Sequence, residues 1–195
     1  MTFVFATNNN NKIKEIRSML GDAFSIITLQ EAGIDIDIPE PHDTLEENAR
    51  EKSTVIFNMT GKDSFSEDTG LEIDALNGEP GVLSARYAGE QKSASDNIDK
   101  VLRLMEGKET RSARFRTVIS LIIKGREHQF EGVAEGLILR ERKGGEGFGY
   151  DPIFQPLDAE KSFAEMELSE KNQYSHRAKA FKKLIAFLQE QHGKS

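Results

Sequence analysis

The chain has 195 residues, of which 37% are hydrophobic and 30% charged, with a net charge of −7 and no cysteine. That size and balance suit one soluble globular domain over residues 1–195, in one lobe or two, large enough to bury a core. They exclude disulfides and thiolate chemistry, a membrane span of roughly 20 apolar residues, a signal peptide and a broad basic surface for nucleic acid, while leaving a small polyanion open as a ligand. The expected compartment is the cytoplasm.

Thr2 to Ala6 (TFVFA) is short, β-branched and aromatic, the pattern of a buried strand. Thr7 and the asparagines Asn8, Asn9, Asn10 and Asn11 follow, then Lys12, and Ile13, Ile16 and Leu20 recur at helical spacing. A helix is therefore expected from Asn10 or Asn11. Strand, polar turn and helix aim helix N-terminal amides and a lysine at whatever lies over the strand end, which is a ready anion site. Asn is also a good N-cap, so capping explains the run equally well.

A second strand is expected over Ser25 to Leu29. Asp35 to Asp43 (DIDIPEPHD), with two prolines and several acids, reads as a loop able to present a carboxylate. Thr44 and Glu47 form a T-x-x-E capping box opening a helix from Leu45 to about Met59. Ala49, Lys52, Ile56 and Met59 fall near one face of it. Lys52 either snorkels beside an apolar stripe or points into a cleft.

Ser66 to Gly89 (SEDTGLEIDALNGEPGVLSARYAG) is the densest stretch. A short β-prone run, Asp63 to Phe65, leads to the adjacent acids Glu67 and Asp68, then Thr69 and Gly70, with Gly70 read as a turn residue. Two carboxylates at the mouth of a turn suit a hard, oxygen-seeking cation such as magnesium, with one left over as a base. An acidic surface turn has the same composition. Asn77 to Gly81 (NGEPG) is turn chemistry, and Ser93 opens a helix through Ile98, Val101, Leu102 and Met105. Ala113 to Ile123 and Glu127 to Leu139 are β-rich runs about Lys124-Gly125-Arg126, read as a hairpin at a sheet edge or in a dimer contact.

In Lys143 to Asp151 (KGGEGFGYD) four glycines require a sharp bend or a close approach, and Phe148 and Tyr150 offer flat faces on which a nucleobase can stack. The same composition describes a mobile hairpin. Ser162 to Gln191 is expected to be helical, with Ser162 and Glu165 as a second capping box. Ser175 is expected to cap a final helix whose stripe is Ala178, Phe181, Leu184, Ile185 and Leu188. His176 and Arg177 then fall in the first turn, where cations oppose the helix dipole and point to a ligand that offsets it.

Together, ATNNNNK at Ala6 to Lys12, EENA at Glu46 to Ala49 with Lys52, the Ser66 to Gly89 block, GFGYDPIF at Gly147 to Phe154 and SHR at Ser175 to Arg177 resemble the inosine/xanthosine triphosphate pyrophosphatases, which clear aberrant nucleotides. The resemblance covers nearly the full length, in order. It implies a mixed α/β fold with a long twisted central mixed sheet flanked by helices, and two lobes around a cleft. It implies a homodimer and magnesium-dependent hydrolysis of dITP, ITP and XTP to monophosphate and pyrophosphate, keeping them out of DNA and RNA. On this resemblance Thr7 to Lys12 matches the triphosphate loop, Asp68 the catalytic and metal-binding carboxylate, and Glu40 another metal-binding acid, with Glu67 as a third. Lys52 matches a phosphate-facing lysine, Thr69 a substrate contact, and Phe148, Gly149, Tyr150, Asp151, Lys171, His176 and Arg177 the base-binding end. Two departures stand out. Asn8 stands where many relatives have Gly, an exchange that Asn's tolerance of the left-handed region would permit, and Thr69 stands where many have Ser. Competing readings are a sister pyrophosphatase acting on pyrimidine or modified nucleotides, and a nucleotide-binding regulator without catalysis.

Overall fold

The computed structural model describes residues 1–20 and 24–192. In chain order the elements are β1 (Thr2–Phe5), α1 (Asn10–Met19), β2 (Ser25–Thr28), α2 (Leu45–Thr60), β3 (Ser64–Ile73), β4 (Pro80–Gly81), α3 (Ala94–Leu104), β5 (Ser112–Ile123), β6 (Arg126–Ile138), β7 (Phe154–Pro156), α4 (Leu168–Tyr174) and α5 (His176–His192). The strands form one seven-stranded sheet in the order β2-β1-β3-β5-β6-β7, with β4 pairing β3. β1 runs parallel to β2 and β3, whereas β4 and β7 lie antiparallel to β3 and β6. The fold is mixed α/β, a sheet flanked by helices. Among the described residues no helix is long and apolar enough to cross a membrane.

The chain divides into two compact units, one of Met1–Asp68, Thr117–Gly132 and the chain from Arg177, the other of Thr69–Arg116 and Val133–His176. In the first, the period-2 alternation of β1 sorts its side chains. Phe3 and Phe5 join Ile13, Ile16, Phe181 and Leu184 in one buried cluster, while Val4 and Ala6 join Leu29 and Ile56 in another. Phe5 and Phe65 are register partners on β1 and β3, and their rings stack at 4.4 Å and 6°. β3 continues the alternation, so Phe65 and Glu67 share the face of α1 and α5, and Ser64, Ser66 and Asp68 share the face of α2. The second unit has its own core around Leu71, Ile73, Val101, Met105, Phe115, Phe154 and Phe163.

Several local expectations hold. Asn9 caps α1, its side-chain oxygen accepting from the N–H groups of Asn11 and Lys12 at 3.0 and 3.2 Å. Thr44 caps α2 by accepting from the Glu47 N–H, and Ser93 caps α3 by accepting from that of Asp96. Ser162 and Glu165 form the predicted capping box, although only a 3-10 turn, Phe163–Glu165, follows it.

Others are corrected. Gly70 is not a turn residue: β3 runs unbroken through Glu67, Asp68 and Gly70. The glycine serves a close approach, because a Cβ there would lie 2.8 Å from the carbonyl oxygen of Gly81 on the paired strand. Gly70→Ala is therefore expected to destabilise the protein by about 1–3 kcal/mol, read as a lower urea midpoint at unchanged slope. Met59 is 55% exposed, off the buried face that carries Ala49, Lys52 and Ile56. In the β5–β6 hairpin β5 is interior, lying between β3 and β6, while β7 pairs with β6 only at Gly136–Ile138. The region after Ser162 is not one helix; extended backbone at Glu167 and Ser175 separates the 3-10 turn, α4 and α5. Asn8 needs no left-handed backbone, because the non-glycine residues with positive φ among those described are Asn77, Lys92 and Lys124. The Asn8 side chain instead donates to the Ile36 carbonyl at 2.9 Å.

Candidate active site

In the first unit, adjacent carboxylates on β3 enter opposite environments. Glu67 faces α1 and α5. Its oxygens accept from Lys12 Nζ at 2.9 Å, Arg177 Nε at 2.7 Å and Arg177 Nη2 at 3.1 Å. Arg177, 2% exposed, also donates through Nη1 to Glu15 on α1. Burial alone would push the Glu67 carboxyl up, but the Arg177 and Lys12 cations outweigh it and hold the group far below the usual carboxylate range. The same pairing overrides the burial of Arg177 and fixes it as a cation. The Arg177 charge that opposes the dipole at the start of α5 is thus offset from within the protein by two acids.

Asp68 faces α2. Lys52, in the middle of that helix, donates to Asp68 Oδ1 at 3.2 Å, to the Glu67 backbone carbonyl at 2.8 Å and to the carboxylate of Glu40. Glu40 sits in the Pro-flanked loop before α2. Burial and the neighbouring Glu40 carboxylate raise the Asp68 carboxyl above its ordinary value, against the opposing pull of Lys52 and Lys12. Burial also pushes Glu40 up, but Lys52 outweighs it and holds Glu40 low. Buried serines fix this arrangement. Ser66 donates to the Ala49 carbonyl and Ser64 to the Ser53 carbonyl, while the hydroxyls of Ser53 and Ser120 lie 2.8 Å apart. Helix α2 and its lysine are thereby set in register with β3 and its aspartate.

Neighbouring acids driven to opposite pKa values separate into a permanent anion and a group able to take a proton. Glu67, paired with Lys12 and Arg177, and Asp68, beside Lys52 and Glu40, stand in such opposed surroundings. Among the described residues no cluster of three or more His, Cys, Asp or Glu side chains could by itself hold a metal. Magnesium, however, is commonly held by one or two carboxylates together with substrate phosphates. Glu40 and Asp68, which already clasp a cation in the form of the Lys52 ammonium, fit that role. Glu67 is placed apart from them by the strand alternation.

The remaining predicted residues of the first unit lie at the start of α1. The Thr7 hydroxyl accepts from the Asn9 N–H at 3.2 Å, and Asn10 and Asn11 are exposed. In the second unit, Phe148, Asp151 and Lys171 come together. Asp151 Oδ2 accepts from Lys171 Nζ at 2.6 Å and from the Phe148 N–H at 3.0 Å, and the ammonium lies 5.1 Å from the centre of the Phe148 ring. Gly147 has φ +74, and a Cβ there would overlap the Asp151 carboxylate at 2.1 Å, so this bend requires glycine; Gly149 is also left-handed. Tyr150 turns into the core, its hydroxyl donating to the Ser84 carbonyl at 2.6 Å. His176 is buried and stacks on Phe115 at 4.6 Å and 15°. Thr69 is half-buried on β3. Sequence reasoning missed Glu15, whose only signal is an acid on the same turns of α1 as the buried Ile13 and Ile16.

The first unit thus gathers the cations Lys12, Lys52 and Arg177 against the acids Glu15, Glu40, Glu67 and Asp68 beside the strands of a mixed α/β sheet. The model of the Ham1 family matches residues 3–187, and the chain belongs to that family. It is 50% identical over 188 residues to a dITP/XTP pyrophosphatase of Flavobacterium johnsoniae, covering 96% of this chain and 98% of that one. To a dITP/XTP pyrophosphatase of Bacillus subtilis it is 45% identical over 190 residues, covering 95% and 96%. The Ham1 protein of Staphylococcus aureus superimposes with a TM-score of 0.89 at 39% identity, covering 98% of this chain and all of that one.

Proposed function

We propose that this protein hydrolyses dITP, ITP and XTP to the nucleoside monophosphate and pyrophosphate with magnesium, and so keeps these nucleotides out of DNA and RNA. The observation that supports the reading is the placing of Glu67 beside Lys12, and of Asp68 beside Lys52 and Glu40, on adjacent positions of β3, in a chain similar to proteins named dITP/XTP pyrophosphatase. Bound magnesium supplies neutralisation of charge on the phosphate oxygens. Glu40 and Asp68 would hold it. Asp68 takes a proton from the attacking water, whose oxygen bonds to the α-phosphorus as the bond to the bridging oxygen breaks. That oxygen leaves with its electron pair on pyrophosphate. Lys12 and Lys52 offset the charge that develops there, with Thr7 and the Asn8 to Asn11 turn lining the phosphates and Thr69 contacting substrate. Glu67 keeps Lys12 in place, and Arg177 acts through Glu67 rather than on the base.

The base is told from adenine by the second unit, through the carbonyl at purine position 6. Phe148 stacks on the base, held with Gly149 and Tyr150 in the bend that Asp151 ties down. Lys171 and the backbone at His176 donate to the carbonyl. ATP brings an amino donor to that position and leaves donors facing one another. Lys171→Gln is expected to narrow the ITP-over-ATP ratio of kcat/KM by about tenfold or more; an unchanged ratio overturns this role. We further propose a cytoplasmic homodimer, as the family resemblance implies.

The test is release of pyrophosphate and orthophosphate from ITP, XTP, GTP, ATP and dTTP, with magnesium and with chelator. Metal-dependent pyrophosphate from ITP and XTP, with little from the others, is expected. Turnover of dTTP instead would point to a pyrimidine-directed sister enzyme. No release from any nucleotide would leave a nucleotide-binding regulator.

A further inference from the structure

The cation held between Glu40 and Asp68 is the protein's own. Lys52 Nζ bridges the two carboxylates and is anchored by a third acceptor, the Glu67 carbonyl at 2.8 Å. Its side chain is only 8% exposed. The root of Lys52 cannot retreat, because buried serine contacts fix α2 against β3. A divalent ion arriving alone would meet an ammonium already between its ligands, and three positive charges would share two carboxylates in a desolvated place. Like charges there are costly. A nucleotide triphosphate changes the balance, because its oxygens accept from the lysine while its cation takes over the carboxylates.

We infer that Lys52 is an exchangeable counter-ion, and that the species this site takes is the divalent cation–nucleotide complex rather than the free cation. The inference rests on the assignment of Glu40 and Asp68 to the cation in the hydrolase reading above. Cation and triphosphate then bind with positive coupling, each raising the affinity for the other by the same factor. Lys12 is paired instead with Glu67 Oε1, at 2.9 Å, and its charge acts on Glu40 and Asp68 through space.

The test counts bound Mn2+ from the loss of the free-ion resonance in electron paramagnetic spectra, with no nucleotide present. Lys52→Met, which keeps the stem and removes the charge, is expected to bind Mn2+ about tenfold or more tightly than the wild-type protein. Lys52→Arg, which keeps a cation there, is expected to bind as weakly as wild type. Lys52→Met no tighter than wild type overturns the inference. Should Lys52→Met fail to fold, the wild-type protein labelled with 15N-lysine decides. The Lys52 ammonium signal is expected to stay in place with Mg2+ alone and to move with Mg2+ and α,β-methylene-ITP; movement with Mg2+ alone overturns the exchange. Pyrophosphate release from ITP, measured on the same preparation, separates the two readings. Release with tight binding of free Mn2+ removes the exchange and keeps the hydrolase, whereas no release with Mn2+ binding gated by Lys52 does the reverse.

Discussion

Asp68→Asn is expected to lower kcat for ITP by about 10²–10⁴-fold, the range for loss of a positioned general base, while nucleotide still binds. The substitution is isosteric and keeps an acceptor for Lys52, so the fold should survive it. The interaction removed is one made only as the water loses its proton, which lowers kcat without raising KM for the nucleotide. In the proposed mechanism Asp68 would also hold the cation, and the two roles give different results. Were Asp68 a cation ligand alone, the loss would appear as a higher magnesium requirement, and excess magnesium would restore turnover. A kcat still depressed at saturating magnesium, with α,β-methylene-ITP bound about as in wild type, assigns Asp68 the proton. Near-wild-type turnover removes it from that role.

Asp68 stood out as a candidate in the sequence because two acids beside a small hydroxyl and a glycine are a local pattern. The strand that carries them was not. A run containing Ser, Glu, Asp, Thr and Gly has no local reason to stay extended and buried, and its charges are balanced only by residues far along the chain. Arg177 meets Glu67 across 110 positions, and Lys52 meets Asp68 across 16. Gly70 misled for the same reason, since its need for a missing Cβ comes from Gly81 on a paired strand. The starts of α1, α2 and α3 were legible, because a cap is settled within one turn of chain. Side-chain direction in irregular segments was not: Phe148 and Tyr150 are equivalent as flat faces in sequence, yet the Tyr150 hydroxyl reaches the Ser84 carbonyl and the ring joins the core. Lys52 illustrates the limit on helices. Its position gave the face, but only the Glu40 loop and β3 together decide that it binds acids instead of snorkelling.

The second large effect is on stability. Arg177→Met removes the cation that two buried acids share, leaving Glu15 without its guanidinium and Glu67 with Lys12 alone. Removing one partner of a buried pair costs about 3–5 kcal/mol, because the remaining charge stays desolvated. Urea unfolding near neutral pH, in chelator, should show that loss. The pH dependence tests its origin. The folded-state pKa of Glu67 is depressed, so its pairing stabilises the protein above the unfolded carboxylate value and loses that contribution as pH falls through the depressed value. In wild type this loss is confined to strongly acidic solution. In Arg177→Met the Glu67 carboxyl moves back up, so the acid-unfolding midpoint should rise towards the ordinary carboxylate range. Glu15→Gln, added to Arg177→Met, removes one stranded charge and should recover part of the stability, a coupling read directly from the double-mutant cycle. Additive losses would mean that Arg177 stabilises α5 by packing alone, and that Glu67 is held by Lys12.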